Sequence, residues 1–247
     1  MSEIHYLNII IIFIAAGLVK GVTGMGLPTV AMGLLGTFMP LPVAAALLII
    51  PSLVTNVWQL FSGPALMALW SRLRLMMLCI VAGTLAGSTL LISIDAGVSG
   101  FLLGAALIVY ATYALYAPVF TVTKKQERLL SPVIGASTGV ITGATGVFVM
   151  PAVPYLQTLK FSKDELVQAL GLSFTVSTLA LAAGLYAQDA YHLNQLSLSL
   201  FSVFPALIGM WLGQKIRSKI SAKTFRKCFL LFLILLGLEL TLRSLLF

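Results

Sequence analysis

The chain has 247 residues, 60% of them apolar and only 9% charged, with a formal net charge of +8 and a mean hydropathy of +1.06. An ordinary soluble domain carries about 25% charged residues, so this composition excludes one. The lack of period-two strands excludes a membrane barrel.

Apolar stretches of about 20 residues, the length of a membrane-crossing helix, recur along the chain. The N-terminal MSEIHYLN has no basic run before its apolar stretch, so that stretch is expected to stay in the mature protein. Segments 4–22 and 27–39 flank a first break, GVTGMG at 21–26. Full helices are expected at 43–61, 73–92 and 98–120. TVTKKQER (121–128) reads as a cytoplasmic linker between a first repeat, 1–120, and a second, 129–247. Segments 129–142 and 147–159 then flank a second break, GVITGATG at 139–146. Full helices close the chain at 164–187, 193–214 and 223–246.

The repeat shows in an ordered series of weak matches. Gly17 and Gly21 correspond to Gly135 and Gly139, an offset of 118. SLVTN (52–56) corresponds to SFTVS (173–177), offset by 121, and GTLAG (83–87) to GMWLG (209–213), offset by 126. Any one match is weak, and the order of all of them argues for duplication.

Loop charge gives the expected topology. Arg72 and Arg74, Lys124 to Arg128, and Lys215 to Lys227 mark cytoplasmic loops, whereas the loops at Asp95 and Asp189 carry no Lys or Arg. One crossing by 164–187 separates the linker from Asp189, so 129–159 must cross an even number of times. Its limbs of 13–14 residues fall short of the ~20 needed to span, which predicts a re-entrant hairpin returning near Lys160 and Lys163. The same plan gives 4–39 a hairpin entering from outside. The expected fold is an all-α polytopic membrane protein. Its two repeats have inverted topology, each a broken, re-entrant hairpin followed by three transmembrane helices, which is a secondary-transporter architecture.

GLVKGVTGMGLPTVAMGLL (17–35) and GASTGVITGATGVFVMPAVPYLQTL (135–159), with the GxxxG helices at 83–87 and 209–213, resemble the sulfite exporter TauE/SafE family, also called the toluene sulfonate uptake permease family. The resemblance runs from about residue 8 to 246. It implies a permease for sulfite, a sulfonate or another small organic anion in a bacterial inner membrane. Met25 interrupts a glycine run common in the family's first motif, and Lys20 stands where small or amide residues are frequent.

A broken helix can hold an anion on free N–H groups and a positive dipole end. Candidate substrate ligands are therefore Lys20, Thr23, Gly24, Met25 and Gly26 at the first break, and Thr142, Gly143, Ala144, Thr145 and Gly146 at the second. The two turns are expected to meet near mid-membrane. The alternative is that the glycines serve close helix packing, the reading preferred for Gly83, Gly87, Gly209 and Gly213. Lys20 either neutralises the substrate, or snorkels to an interface or pairs with a neighbour. Asn56 with Gln59, and Ser173 with Ser177, share helix faces and either line the cavity or bond between helices. Trp58, Trp70 and Trp211 are expected as interfacial anchors or packing residues. Glu239 is a candidate proton relay, with pairing to Arg243 the preferred reading.

Neither a P-loop nor a cluster suited to a metal or a hydrolase appears, so no enzyme, cofactor or metal is expected. Cys79 and Cys228 form no disulfide framework. The expected partners are a small anionic substrate and membrane lipid, without nucleic acid, and a homo-oligomer stays open. An anion channel of the same fold, or a non-transporting scaffold subunit, are the competing functions.

Overall fold

The computed structural model describes residues 3–116, 121–190, 193–217, 219 and 221–246. Every regular element among them is a helix: α1 (Glu3–Thr23), α2 (Leu27–Leu35), α3 (Leu41–Leu60), α4 (Leu66–Ser93), α5 (Ala96–Tyr116), α6 (Lys124–Thr145), α7 (Ala152–Gln157), α8 (Lys163–Ala187), α9 (Leu193–Phe201), α10 (Val203–Arg217) and α11 (Ala222–Leu246). Among the described residues, seven spans are long and apolar enough to cross a membrane: Tyr6–Thr23, Leu41–Leu60, Leu66–Ser93, Ala96–Tyr116, Lys163–Ala187, Gln195–Arg217 and Lys223–Leu246. Residues 117–120, expected to finish the fifth of these elements, lie outside the described residues, as do 191 and 192 of the loop after Asp189.

Four boundaries differ from expectation, each for a local reason. The sixth helix starts at Lys124, inside the segment read as a linker. There the Thr123 side chain accepts from the Gln126 N–H, and the Gln126 side chain accepts from the Thr123 N–H, a capping box. Helix α4 starts at Leu66 rather than 73, because Arg72 and Arg74 suit a helix as well as an apolar residue does. After Gly146 the chain runs non-helical through 147–149, and α7 begins only past Pro151, which disfavours helix in the residue before it. The helix expected at 193–214 is interrupted at Ser202, where Pro205 offers no N–H to the Phe201 carbonyl.

At 22 residues, α6 is long enough to span, so short limbs are not what makes its hairpin. The return is. The Val122 N–H donates to the Thr158 carbonyl at 3.3 Å, so the segment 124–157 leaves and rejoins one end of the bundle. Arg72 ties the same end. Its guanidinium grips Glu127 through Nε (2.6 Å) and Nη2 (2.8 Å), and Nη2 also donates to the Leu159 carbonyl at 3.1 Å.

Two seams hold the hairpins. Helix α1 lies parallel to α10, and α6 parallel to α4. A Cβ on Gly17 would run into the Ala206 carbonyl, and one on Gly21 into that of Met210. From the facing side, Gly209 meets the Ile14 carbonyl and Gly213 that of Leu18. In the other seam Gly139 meets the Ile80 carbonyl and Gly143 that of Thr84, while Gly83 and Gly87 face the carbonyls of Ala136 and Val140. Backbones this close need small residues. The packing role expected for Gly83, Gly87, Gly209 and Gly213 is what they have, and Gly143 shares it. The contacts match Gly17 with Gly139 and Gly21 with Gly143. That offset is 122, one helical turn from the 118 expected.

Helix α5 runs antiparallel to α11, with Gly100 against Ser244 and Gly104 against Gly237 and Thr241. Helices α3 and α8 form the centre: 61% and 67% of their spans are buried, against 33–44% for the other five. Trp58, Trp70 and Trp211 all lie on the exposed surface. Arg243 does not pair with Glu239 but donates to the Thr37 carbonyl.

The seams make a stability prediction. In Gly209→Ala the new methyl meets backbone that cannot rotate away, a strain of roughly 1–3 kcal/mol. Thermal unfolding of the purified protein should start several degrees lower. Gly97→Ala meets at nearest only the Asp95 side chain, at 3.0 Å, and should unfold like the wild type.

Candidate functional site

Both breaks are built the same way. At the first, Gly24 takes φ +78° and its N–H donates to the Lys20 carbonyl at 2.7 Å. The Thr23 hydroxyl donates to the Val19 carbonyl (2.9 Å) and accepts from the Met25 N–H (3.2 Å). At the second, Gly146 takes φ +70° and donates to the Thr142 carbonyl at 2.8 Å. The Thr145 hydroxyl donates to the Ile141 carbonyl (2.7 Å) and accepts from the Val147 N–H (3.2 Å). Glycine takes this left-handed conformation without strain. Gly26, at φ +96°, then caps the start of α2.

Thr23 and Thr145 therefore close their own turns. Ala144 is buried beside Gly143, whose missing side chain faces α4. The two turns have different neighbours. Met25 adjoins a cavity of about 170 Å³ lined by Thr23, Tyr110, Arg217, Arg226 and Phe229. Gly146 instead packs on the side chain of Met32, about 7 Å further along α2 from its first residue.

One helical turn before the first break, Lys20 joins side chains of α3 and α8. Lys20 is only 4% exposed, so it does not snorkel. Its ammonium donates to Thr55 Oγ1 at 3.1 Å and to Asn56 Oδ1. Asn56 in turn donates through Nδ2 to Thr178 Oγ1 at 3.2 Å. Each threonine passes its own proton back to a carbonyl of its helix, Thr55 to Pro51 (2.8 Å) and Thr178 to Phe174 (2.7 Å). The result is a directed network across α1, α3 and α8 with one cation. No carboxylate pairs with that cation among the described residues.

Several hydroxyls of the interior have no partner among the described residues. Thr142, Ser173 and Ser177 are fully buried, as are Ser52 and Thr29, and none makes a side-chain hydrogen bond. Such groups are costly to bury, and their presence marks an interior that can accept a polar guest. Gln59 is half satisfied: Nε2 donates to the Val167 carbonyl at 3.0 Å while Oε1 has no partner.

Sequence reading missed Thr55 and Thr178. A signal was there: at an offset of 122, Asn56 matches Thr178 and Thr55 matches Ser177, whereas the offset of 121 hid both. It also missed Arg217 and Arg226 as cavity residues, having used them only for topology. Gln168 is a further omission. It is fully buried, accepts from the Ala65 N–H, and donates to the carbonyls of Leu60 and Gly63, pinning α8 to the α3–α4 turn.

No curated protein and no solved structure matches the chain. The family described as sulfite exporter TauE/SafE matches residues 9–240 of the 247. That span holds both breaks, both glycine seams and the Lys20 network, so this integral multi-pass membrane protein belongs to the sulfite exporter TauE/SafE family of permeases.

Proposed function

We propose that the chain is a secondary transporter for a small anion (sulfite, a sulfonate or another organosulfur anion) working by alternating access in a bacterial inner membrane. The observation that carries this reading is Lys20. A buried ammonium held only by neutral acceptors lacks a counter-charge, and intramembrane cations of this kind mark ion pathways. An oxyanion supplies the charge and the acceptor oxygens together.

In this reading the anion enters from the basic end. Arg217 and Arg226 draw it into the cavity over Met25. When the Gly24 turn moves aside, the anion reaches Lys20 and displaces the Asn56 carbonyl from the ammonium. Asn56 Nδ2 and the free hydroxyls of Thr142, Ser173 and Ser177 then turn toward it as donors. The glycine turns serve as hinges and the groups one turn before them as ligands.

Helix directions support two inverted repeats. Helix α5 is antiparallel to α11, and short connections set α4 against α5 and α10 against α11. Helices α4 and α10 then run oppositely, and so do α6 and α1, which lie parallel to them. Asn56 and Thr178 each stand fifteen residues after the first residue of their helix, Leu41 and Lys163, as partners across a two-fold axis would. Loop grouping agrees as well. Arg72, Glu127 and Leu159 share one end, while Thr37, Ile94 and Arg243 line a cavity together.

Counterflow into proteoliposomes preloaded with unlabelled anion tests the function, comparing labelled sulfite, a small sulfonate and a small carboxylate. The wild type should show saturable exchange of a sulfur anion. Lys20→Met should reduce it roughly 10- to 100-fold, the value of a charged hydrogen-bonding group. Undiminished exchange in Lys20→Met would remove the lysine from the site, and unsaturable, voltage-driven current would make the protein a channel.

Single-cysteine labelling in a cysteine-free background tests the inversion. Positions 124–128, 160–163 and 215–227 should label from one face, and 93–97 and 187–190 from the other. Labelling of 124–128 and 160–163 from opposite faces would contradict the re-entrant hairpin.

A further inference from the structure

A second charged cavity lies away from the Lys20 network. It has a volume of about 640 Å³ and opens where the α4–α6 seam reaches the end of the bundle that carries Arg72. Arg72 and Arg74 line it from α4, and Lys124 and Arg128 from α6. Its one carboxylate, Glu127, is already neutralised by the two-pronged Arg72 contact. Arg74, Lys124 and Arg128 have no hydrogen-bond or ion-pair partner among the described residues. Three unpaired cations around one hollow repel one another, and the bonds within the protein do nothing to relieve this.

The surroundings indicate what relieves it. Leu75 lines the cavity and is 50% exposed. Leu78 on α4, with Leu129 and Val133 on α6, continues an exposed apolar strip away from the basic residues. A ligand that fits both parts has an anionic head and apolar tails. A free anion would use only the hollow and leave the strip unexplained.

We infer that this cavity is a binding site for the phosphate headgroup of an anionic phospholipid, whose acyl chains lie along Leu75, Leu78 and Val133. Basic pockets between transmembrane helices take such headgroups. The lipid bridges α4 and α6 where the glycine seam ends, so it holds the second hairpin against its partner helix. Arg72 serves both sides, gripping Glu127 and facing the cavity.

Native mass spectrometry of the purified full chain tests this, with phosphatidylglycerol added in detergent and phosphatidylcholine in a parallel arm. The wild type should retain phosphatidylglycerol and not phosphatidylcholine. The triple variant Arg74→Ala, Lys124→Ala, Arg128→Ala should bind it on the order of a hundredfold more weakly, since each basic side chain near an anionic surface is worth about a factor of five. Arg74→Gln alone should show a smaller loss in the same direction. A control triple of equal charge change, Lys219→Ala, Lys223→Ala, Lys227→Ala, should bind like the wild type. Equal loss in the control, equal binding of phosphatidylcholine, or displacement of the lipid by inorganic phosphate at matching concentration would each overturn the site.

Discussion

The fold depends on backbone meeting backbone. Helix α1 against α10, and α6 against α4, approach so closely that a single methyl group at Gly17, Gly139 or Gly209 would strike a carbonyl oxygen. No hydrophobic force drives helices together in lipid, so van der Waals contact over such flat faces is what joins them. These seams dock α1 and α6 into the bundle. They also fix the rotation of α1, and with it the direction of Lys20. Gly17 and Gly21 face α10, and Lys20, one residue from Gly21, is turned toward α3 instead. Loss of the seam would free the lysine to rotate out of the network.

The two breaks show how one backbone device serves two chemically different positions. In each, a glycine in the left-handed region donates to the carbonyl four residues back, and a threonine closes the turn. The residue four back is Lys20 in the first hairpin and Thr142 in the second. Identical backbone thus delivers a cation from one side and an unpartnered hydroxyl from the other. The proposed site is accordingly lopsided.

Much of this was legible in the sequence because a membrane leaves few options. Apolar length gave the spanning helices, and Gly24 and Gly146 marked the two breaks. Lys20 stood out as the charge in an apolar run. Register was less legible. Gly135, Gly139 and Gly143 recur every four residues, so a match displaced by one helical turn looks as good as the true one. A separate slip of one residue, 121 for 122, set Asn56 opposite Ser177 and left Thr178, its actual hydrogen-bond partner, unnoticed. Thr23 and Thr145 show a bond that the sequence does not display. A threonine beside a glycine in a polar turn looks free to bind a ligand, yet its hydroxyl is already committed to the turn that it closes. The sixth helix starts earlier than expected because Thr123 and Gln126 form a capping box within the charged segment.

The contacts also say which parts would move together on the proposed mechanism. The glycine seams set backbone against backbone, so on this mechanism α1 would move with α10, and α6 with α4. The contacts between α3 and α8 are of another kind. Asn56 to Thr178 and Gln59 to the Val167 carbonyl are single side-chain hydrogen bonds with neutral partners, each worth about 1 kcal/mol net. Such bonds can be exchanged for bonds to a guest anion at little cost. Rocking would then occur between these two pairs about the α3–α8 crossing. Binding and movement would share one set of atoms, since the Asn56 amide that bonds across the halves is also the group that an anion beside Lys20 would recruit.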